Sequence, residues 1–333
     1  MRALLARFPR LSTTLPRAAL PLQETPVERW RVDDVTLLIK RDDLNAPAPA
    51  LGGNKARALE LLLAGGAPSR PLLTVGATGS THALSVAAHG AALGLLTQVI
   101  TWPQETHAVA DATAVRMRAL ADVTAARSVL RAYLRVAWRR MTRSVHWIPA
   151  GGSVALGALG HVDAALELAE QLARTGEAMP DTIVLPLGSG GTTAGLLVGL
   201  ALAGARTRVV GVRVVPGVVA NRSRVLRLAQ RTRTLLASLA GEPIPAPDRS
   251  RLEIEHSAFG GAYGRETDAA RRAARLLREA GGPRLEGTYS AKAFAAALAR
   301  ARRAPDERVL FWLTFDGRWL PTALDSPTSP PDR

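Results

Sequence analysis

The chain has 333 residues, 47% of them apolar and 21% charged, a balance that suits a globular protein and excludes wholesale disorder. With no cysteine at all, disulfides, thiolate zinc sites, iron–sulfur clusters and a cysteine nucleophile are excluded together. The net charge of +15 rests on 40 arginines against only three lysines, Lys40, Lys55 and Lys292, and reads as a general surface property rather than a nucleic-acid footprint.

At this length two compact domains are expected. The longest apolar run, Ala194 to Ala205, is broken by Gly195, Gly199 and Gly204 and falls short of the roughly 20 residues a bilayer needs, so no membrane partner is expected. The first 23 residues carry Arg, Ser and Thr but no acid before Glu24, the composition of a transit peptide, while no apolar stretch there would serve a secretory signal.

In chain order, a strand is predicted at Val35–Ile39, then a helix at Lys55–Leu63, a strand at Leu72–Val75, a helix at His82–Leu93 and a strand at Thr97–Trp102. Arg127, Arg131, Arg135 and Arg139 recur every four residues and would form one solvated stripe on a helix. A helix at Ala155–Ala173 leads to a strand at Ile183–Leu187 and a helix at Thr192–Ala203. Then come a strand at Val209–Val215, a helix at Asn221–Leu239, a proline-rich loop at Pro243–Asp248, a helix at Glu266–Ala280 and a strand at Val309–Leu313. Asp325–Arg333 reads as a frayed tail. Alternation of this kind implies an α/β protein with mostly parallel sheets and helices on both faces.

Ligands of such sheets bind beyond the carboxyl ends of the strands. Three loops there are rich in glycine: Leu51-Gly52-Gly53-Asn54-Lys55, Gly76 to His82, and Gly188-Ser189-Gly190-Gly191-Thr192-Thr193-Ala194-Gly195. The last follows an apolar strand and opens a helix, so its free N–H groups and the positive helix end would cradle a phosphate. Thr193 stands where a dinucleotide fold needs its third glycine, and the paired threonines suit a terminal monophosphate better than a pyrophosphate. Lys55 begins a helix, where its charge opposes the dipole; desolvated near positive potential, such a lysine becomes a nucleophile toward carbonyls. His82 and His89 share a helix face without a third partner at ligand spacing, so no metal site is predicted.

The run Ile39-Lys40-Arg41-Asp42-Asp43-Leu44 with Gly52-Gly53-Asn54-Lys55-Ala56-Arg57 resembles the start of pyridoxal phosphate enzymes of the tryptophan synthase β-type fold. The branch it is most similar to holds 1-aminocyclopropane-1-carboxylate deaminase and D-cysteine desulfhydrase. Gly151-Gly152-Ser153 with Leu156–Gly160, Gly188–Gly195, Tyr263-Gly264, and Tyr289 with Lys292-Ala293 follow in the same order, so the resemblance spans roughly residues 7 to 317. It begins near Phe8-Pro9-Arg10, which argues against a transit peptide and for a cytoplasmic chain.

The resemblance implies two open parallel-sheet α/β domains of fold type II: a large one from 1–55 and 160–333, and a smaller inserted one at 56–159. It implies pyridoxal 5'-phosphate held as a Schiff base on Lys55, which also serves as proton-transfer base. Gly188, Ser189, Gly190, Gly191, Thr192 and Thr193 would hold the phosphate. Ser80 would sit near the substrate carboxylate, and Tyr263 and Tyr289 would flank the reacting carbon. Ser290 would face the pyridine nitrogen, with Asn54, Thr81 and Thr314 completing the cofactor contacts. A small amino-acid substrate and a homodimer are also implied.

A neutral hydroxyl at the ring nitrogen makes a weaker electron sink than a carboxylate, which favours β-elimination of a good leaving group to ammonia and a 2-oxo acid. Cyclopropane-ring deamination, amino-acid racemisation and serine or threonine dehydration stay open on the same fold. The chain departs from the family pattern at Thr81, Val154, His161 and the run Leu313-Thr314-Phe315-Asp316-Gly317. A bulky Phe315 and a short Thr81 set a second class of function beside the enzyme: a catalytically weakened relative that binds pyridoxal phosphate or an amino acid.

Overall fold

The computed structural model describes residues 2–105 and 107–321; the expected tail at Asp325–Arg333 lies outside them. Two short helices, α1 (Arg2–Arg7) and α2 (Leu11–Thr14), precede a hairpin of β1 (Val27–Val32) and β2 (Val35–Lys40). After α3 (Asn54–Leu62) come β3 (Leu72–Ala77), α4 (Thr81–Ala92), β4 (Thr97–Trp102), α5 (Ala108–Leu120), β5 (Asp122–Ala125), α6 (Val129–Thr142) and β6 (His146–Trp147). The chain continues through α7 (Ala155–Thr175), β7 (Thr182–Leu187), α8 (Gly191–Leu202), β8 (Arg208–Arg213), α9 (Arg222–Ala240) and β9 (Leu252–Glu255). It ends with α10 (Asp268–Glu279), α11 (Ser290–Arg303) and β10 (Val309–Trp312).

Among the described residues these strands form two sheets, one of six strands in the order β1-β2-β10-β7-β8-β9 and one of four in the order β5-β4-β3-β6. All neighbours are parallel except β1 and β2, which pair antiparallel from Val27 opposite Lys40 to Val32 opposite Val35. Asp33 makes that turn at φ +56, a left-handed conformation that short polar side chains tolerate. Every residue of β3 is buried, as expected of a strand covered by helices on both faces.

One face of the large sheet packs against α1, α7, α8 and α9 through Leu4, Leu159, Val162, Leu197 and Leu236, and the other packs against α10 and α11 through Leu277, Phe294 and Phe311. The α7–α8 contact is close because Gly195 has no side chain: a Cβ there would lie 2.4 Å from the Ala158 carbonyl oxygen. Helix α8 is thereby fixed against α7, and the first turn of α8 inherits that position.

Beneath α3 lies a buried ionic network. Arg57 Nε donates to Asp42 Oδ1 at 2.6 Å, and its terminal nitrogens donate to both oxygens of Glu167 at 3.0 Å. Lys40 Nζ meets Glu167 Oε1 at 2.7 Å, Gln171 Oε1 at 2.6 Å and the Thr25 carbonyl at 2.7 Å. These bonds join β2, α3 and α7, and Arg57 stands two residues beyond Lys55 on the same helix.

The arginine stripe falls partly on α6. Arg127 precedes the helix, Arg139 is tied to Gln98 and Thr124 at 3.0 and 2.9 Å, and Arg135 donates to the Ala125 carbonyl. Two members therefore fasten the helix to the strands beside it instead of standing free in water. Among the described residues no helix is long and apolar enough to cross a membrane.

Candidate active site

A cavity of about 560 Å³ opens between the two sheets at the carboxyl ends of their strands, within the size range of small-molecule sites. Four helices begin at its wall: α3 at Gly53 to Lys55, α4 at Ser80 to His82, α8 at Gly190 to Thr193 and α11 at Tyr289. A helix start presents unpaired N–H groups and a positive dipole end, so a convergence of starts favours anionic ligands. The fourth is already answered. Glu286 Oε1 accepts from the N–H of Tyr289 and of Ser290, both at 2.7 Å, and Oε2 accepts from Thr288 N–H at 2.8 Å. Burial raises the Glu286 carboxyl above its ordinary range.

Lys55 lies on the cavity wall, where burial lowers its amine to about 8. Asn54 braces it from both sides, with its N–H on the Thr314 carbonyl at 3.0 Å and its side chain donating to Thr192 Oγ1 at 2.7 Å. The preceding turn is held by Gly52 N–H on Asp316 Oδ2 at 2.8 Å, and the Asp316 carboxylate is bound in turn by Arg318. His82 lies near enough for the Lys55 charge to help lower its imidazole to about 3, burial being the larger cause. Thr74 Oγ1 sits 3.2 Å from His82 Nε2.

The Gly188–Thr193 loop forms the opposite wall, with Gly190 at φ +89. The two threonines differ. Thr192 Oγ1 accepts from Asn54 and lies 3.4 Å from His161 Nε2, whereas Thr193 Oγ1 is buried with no hydrogen-bond partner. A buried unpartnered hydroxyl at a helix start is costly unless a ligand supplies the acceptor, so the loop fits a phosphate. Ser189 and Ser153 lie 2.6 Å apart through their hydroxyls, and Ser153 Oγ also accepts from Gly191 N–H at 3.1 Å.

Tyr263 and Tyr289 meet at the cavity with hydroxyls 2.7 Å apart and rings edge to face. Burial raises Tyr263 to about 12 and holds Tyr289 well above the ordinary phenol value. Ser80, also on the wall, caps α4 by accepting from Ala83 N–H at 3.2 Å. Thr81, Thr314 and Phe315 line the cavity too.

Ser290, the residue expected at the pyridine nitrogen, opens α11. It is fully buried, is not among the cavity-lining residues, and its hydroxyl is bound to the Glu286 backbone, accepting from the N–H at 2.8 Å and donating to the carbonyl at 3.2 Å. The carboxyl group at this end of the cavity is that of Glu286, which the sequence reading overlooked; an acid three residues ahead of Tyr289 just before a helix is the capping signal that marks it. Two links across the cleft were also unforeseen. Arg265 grips Glu105 through two bonds of 2.6 and 3.1 Å, and His107 Nε2 lies 2.8 Å from Thr288 Oγ1.

Comparison with known proteins agrees with these features. Nocardicin C-9' epimerase of Nocardia uniformis subsp. tsuyamanensis is 36% identical over 327 residues, covering 91% of this chain and 94% of that one. D-cysteine desulfhydrase of Salmonella choleraesuis strain SC-B67 is 34% identical over 331 residues, covering 92% and 94%. A solved homologue of ACC deaminase superposes with a TM-score of 0.75 at 27% identity, covering 95% of each chain. The family profile described as pyridoxal-phosphate dependent enzyme matches residues 19–314. With that match, the two parallel sheets and Lys55 and the Gly188–Thr193 loop facing one cavity, the chain belongs to the pyridoxal-phosphate dependent enzymes of fold type II, in the family that holds lyases and deaminases.

Proposed function

We propose that the protein catalyses β-elimination on an amino acid, releasing ammonia, a 2-oxo acid and the β-substituent. The observation that carries this reading is the Tyr263–Tyr289 hydroxyl pair facing the same cavity as the Lys55 amine. When bound, pyridoxal phosphate supplies an electron sink that acidifies the Cα–H bond of the amino acid joined to it. Lys55 is the amine that would hold the aldehyde carbon and, once free, the base at Cα; an amine near 8 releases and takes up a proton close to neutrality. Gly188 to Thr193 would hold the phosphate, with Thr193 Oγ1 finding its acceptor there. Ser80 and Thr81, at the start of α4, would receive the substrate carboxylate. Tyr289, protonated and hydrogen-bonded to a second phenol, would donate the proton that a departing β-substituent needs. Asn54, Ser189 and Thr314 act by position, holding the turns on which these groups stand.

Epimerisation at Cα is the second reading, supported by the 36% identical relative that is named an epimerase. Both reactions begin with loss of the Cα proton and differ in whether a β-substituent leaves. Incubation of the holoenzyme with D- and L-cysteine, serine and alanine in D2O, followed by NMR and 2-oxo acid assay, separates them. Ammonia and 2-oxo acid in equal yield are expected from β-substituted substrates; Cα deuterium with inversion and no 2-oxo acid would instead establish epimerisation.

The proposal extends to a cytoplasmic homodimer and to domains at 1–55 with 160–333 and at 56–159. The domain division is supported by β1, β2 and β7 to β10 falling wholly in the first unit and β3 to β6 wholly in the second.

A further inference from the structure

The cavity wall also carries apolar side chains outside Lys55, the Gly188–Thr193 loop and the tyrosine pair. At the carboxyl end of β4, Trp102 stacks on Tyr133 of α6, with ring centroids 6.2 Å apart and planes inclined by 28°. Both rings line the cavity, and Val129 joins them. Val215, Pro216 and Val219, from the loop after β8, line the same cavity. Two sheets thus contribute one apolar surface each to a single outer chamber.

Tyr133 is 42% exposed, Val129 49% and Val219 39%. Large apolar side chains grouped this way in water mark a surface that something covers. The apolar stripe of α6 also runs on through Leu134, Trp138 and Met141, which the cavity excludes, so the inference concerns only the residues on the cavity wall. An aromatic pair that shares a cavity with a proline and valines offers a planar apolar group ring-edge and aliphatic packing.

Resting on the reading above that an amino acid is the substrate, we propose that this outer chamber is a specificity site for an aromatic side chain carried by that amino acid. The inner groups engage the carboxylate and Cα, which every amino acid shares; Trp102, Tyr133 and Val219 then select among side chains.

The test uses the cofactor-loaded enzyme. D- and L-phenylalanine and tyrosine are titrated against D- and L-alanine, with binding followed by the cofactor absorbance band and turnover by Cα deuterium uptake in D2O. At least tenfold tighter binding of one aromatic enantiomer over alanine is expected, and Tyr133→Ala and Val219→Asp should each cut that ratio by tenfold or more. Both positions are partly exposed, so circular dichroism should report intact folds. Equal affinity for alanine and phenylalanine, with deuterium uptake still seen for alanine, would overturn the chamber and leave the amino-acid reading standing. So would a dimer that becomes monomeric on Val219→Asp without a change in the ratio, because the wall would then belong to a subunit contact. Absence of any absorbance change with all the amino acids would overturn both.

Discussion

The phenol oxygens of Tyr263 and Tyr289 lie 2.7 Å apart, although 26 residues separate them in the chain, and both phenols are raised by burial. One proton lies between two oxygens in an apolar setting, so removing either hydroxyl leaves the other without its partner.

Tyr289→Phe is therefore expected to lower kcat by about 10²-fold or more, the scale of a lost general acid. Tyr263→Phe should fall in the same direction, and the double variant should be no worse than the Tyr289 single, since the pair acts as a unit. Steady-state kinetics on the four proteins checks this; additive losses would mean independent roles. Because both phenols are raised, no basic limb below about pH 10 in the kcat profile should vanish with either substitution.

Lys55 yields a pH prediction whose sign follows from burial. Desolvation disfavours the ammonium and lowers the group to about 8, so the reactive free amine grows as pH rises through that value. Association of pyridoxal phosphate with cofactor-free enzyme should accelerate from pH 7 and level off above about pH 9, where an ordinary lysine near 10.5 would still be climbing. Stopped-flow absorbance measures the rate. Borohydride reduction followed by peptide mapping should place the adduct on Lys55, and Lys55→Ala should form none.

Groups close together in the chain were legible in the sequence. The Gly188 to Thr193 loop carries its own strand-to-helix signal, and the central parallel strands are apolar enough to be read within a residue or two of their ends. Strand β1 escaped because Glu28, Arg29 and Arg31 interrupt its apolar pattern, as an edge strand can allow but a central one cannot. What tertiary structure alone decides was not legible. Trp102 and Tyr133 stack across 31 residues, and Arg265 finds Glu105 across 160. The bonds of the Ser290 hydroxyl to the Glu286 backbone depend on how one helix start is capped, which residue identity at a matching position does not specify.

Thr193 tests the phosphate cup apart from catalysis. Its hydroxyl is buried without a partner, so Thr193→Val removes nothing the protein itself uses and should leave thermal stability unchanged or slightly raised. Affinity for pyridoxal phosphate should drop, by ~1.5–3 kcal/mol if the hydroxyl bonds a charged phosphate oxygen, which is roughly 10- to 150-fold. Equilibrium dialysis measures this. The parallel substitution Thr192→Val should cost stability, because Asn54 would lose its acceptor at 2.7 Å.

The network under α3 predicts how the fold responds to acid. Glu167 is lowered from 4.5 to about 2: burial opposes this, and the Arg57 and Lys40 charges outweigh it. A carboxylate with a depressed folded value contributes stability that is full above the unfolded value and is lost as pH falls from about 4.5 toward about 2. Urea unfolding should show that loss in the wild-type chain and a flatter profile in Glu167→Gln. At pH 7 the variant should be destabilised by ~3–5 kcal/mol, the usual cost of leaving buried partners uncompensated. Burial lowers Lys40 even beside Glu167, so part of the pair's attraction is spent on desolvation, and replacing both residues by apolar ones should cost less than replacing Glu167 alone. Since Arg57 and Lys55 share a helix, Glu167→Gln should also slow cofactor loading, whereas equal loading rates would detach the network from the site.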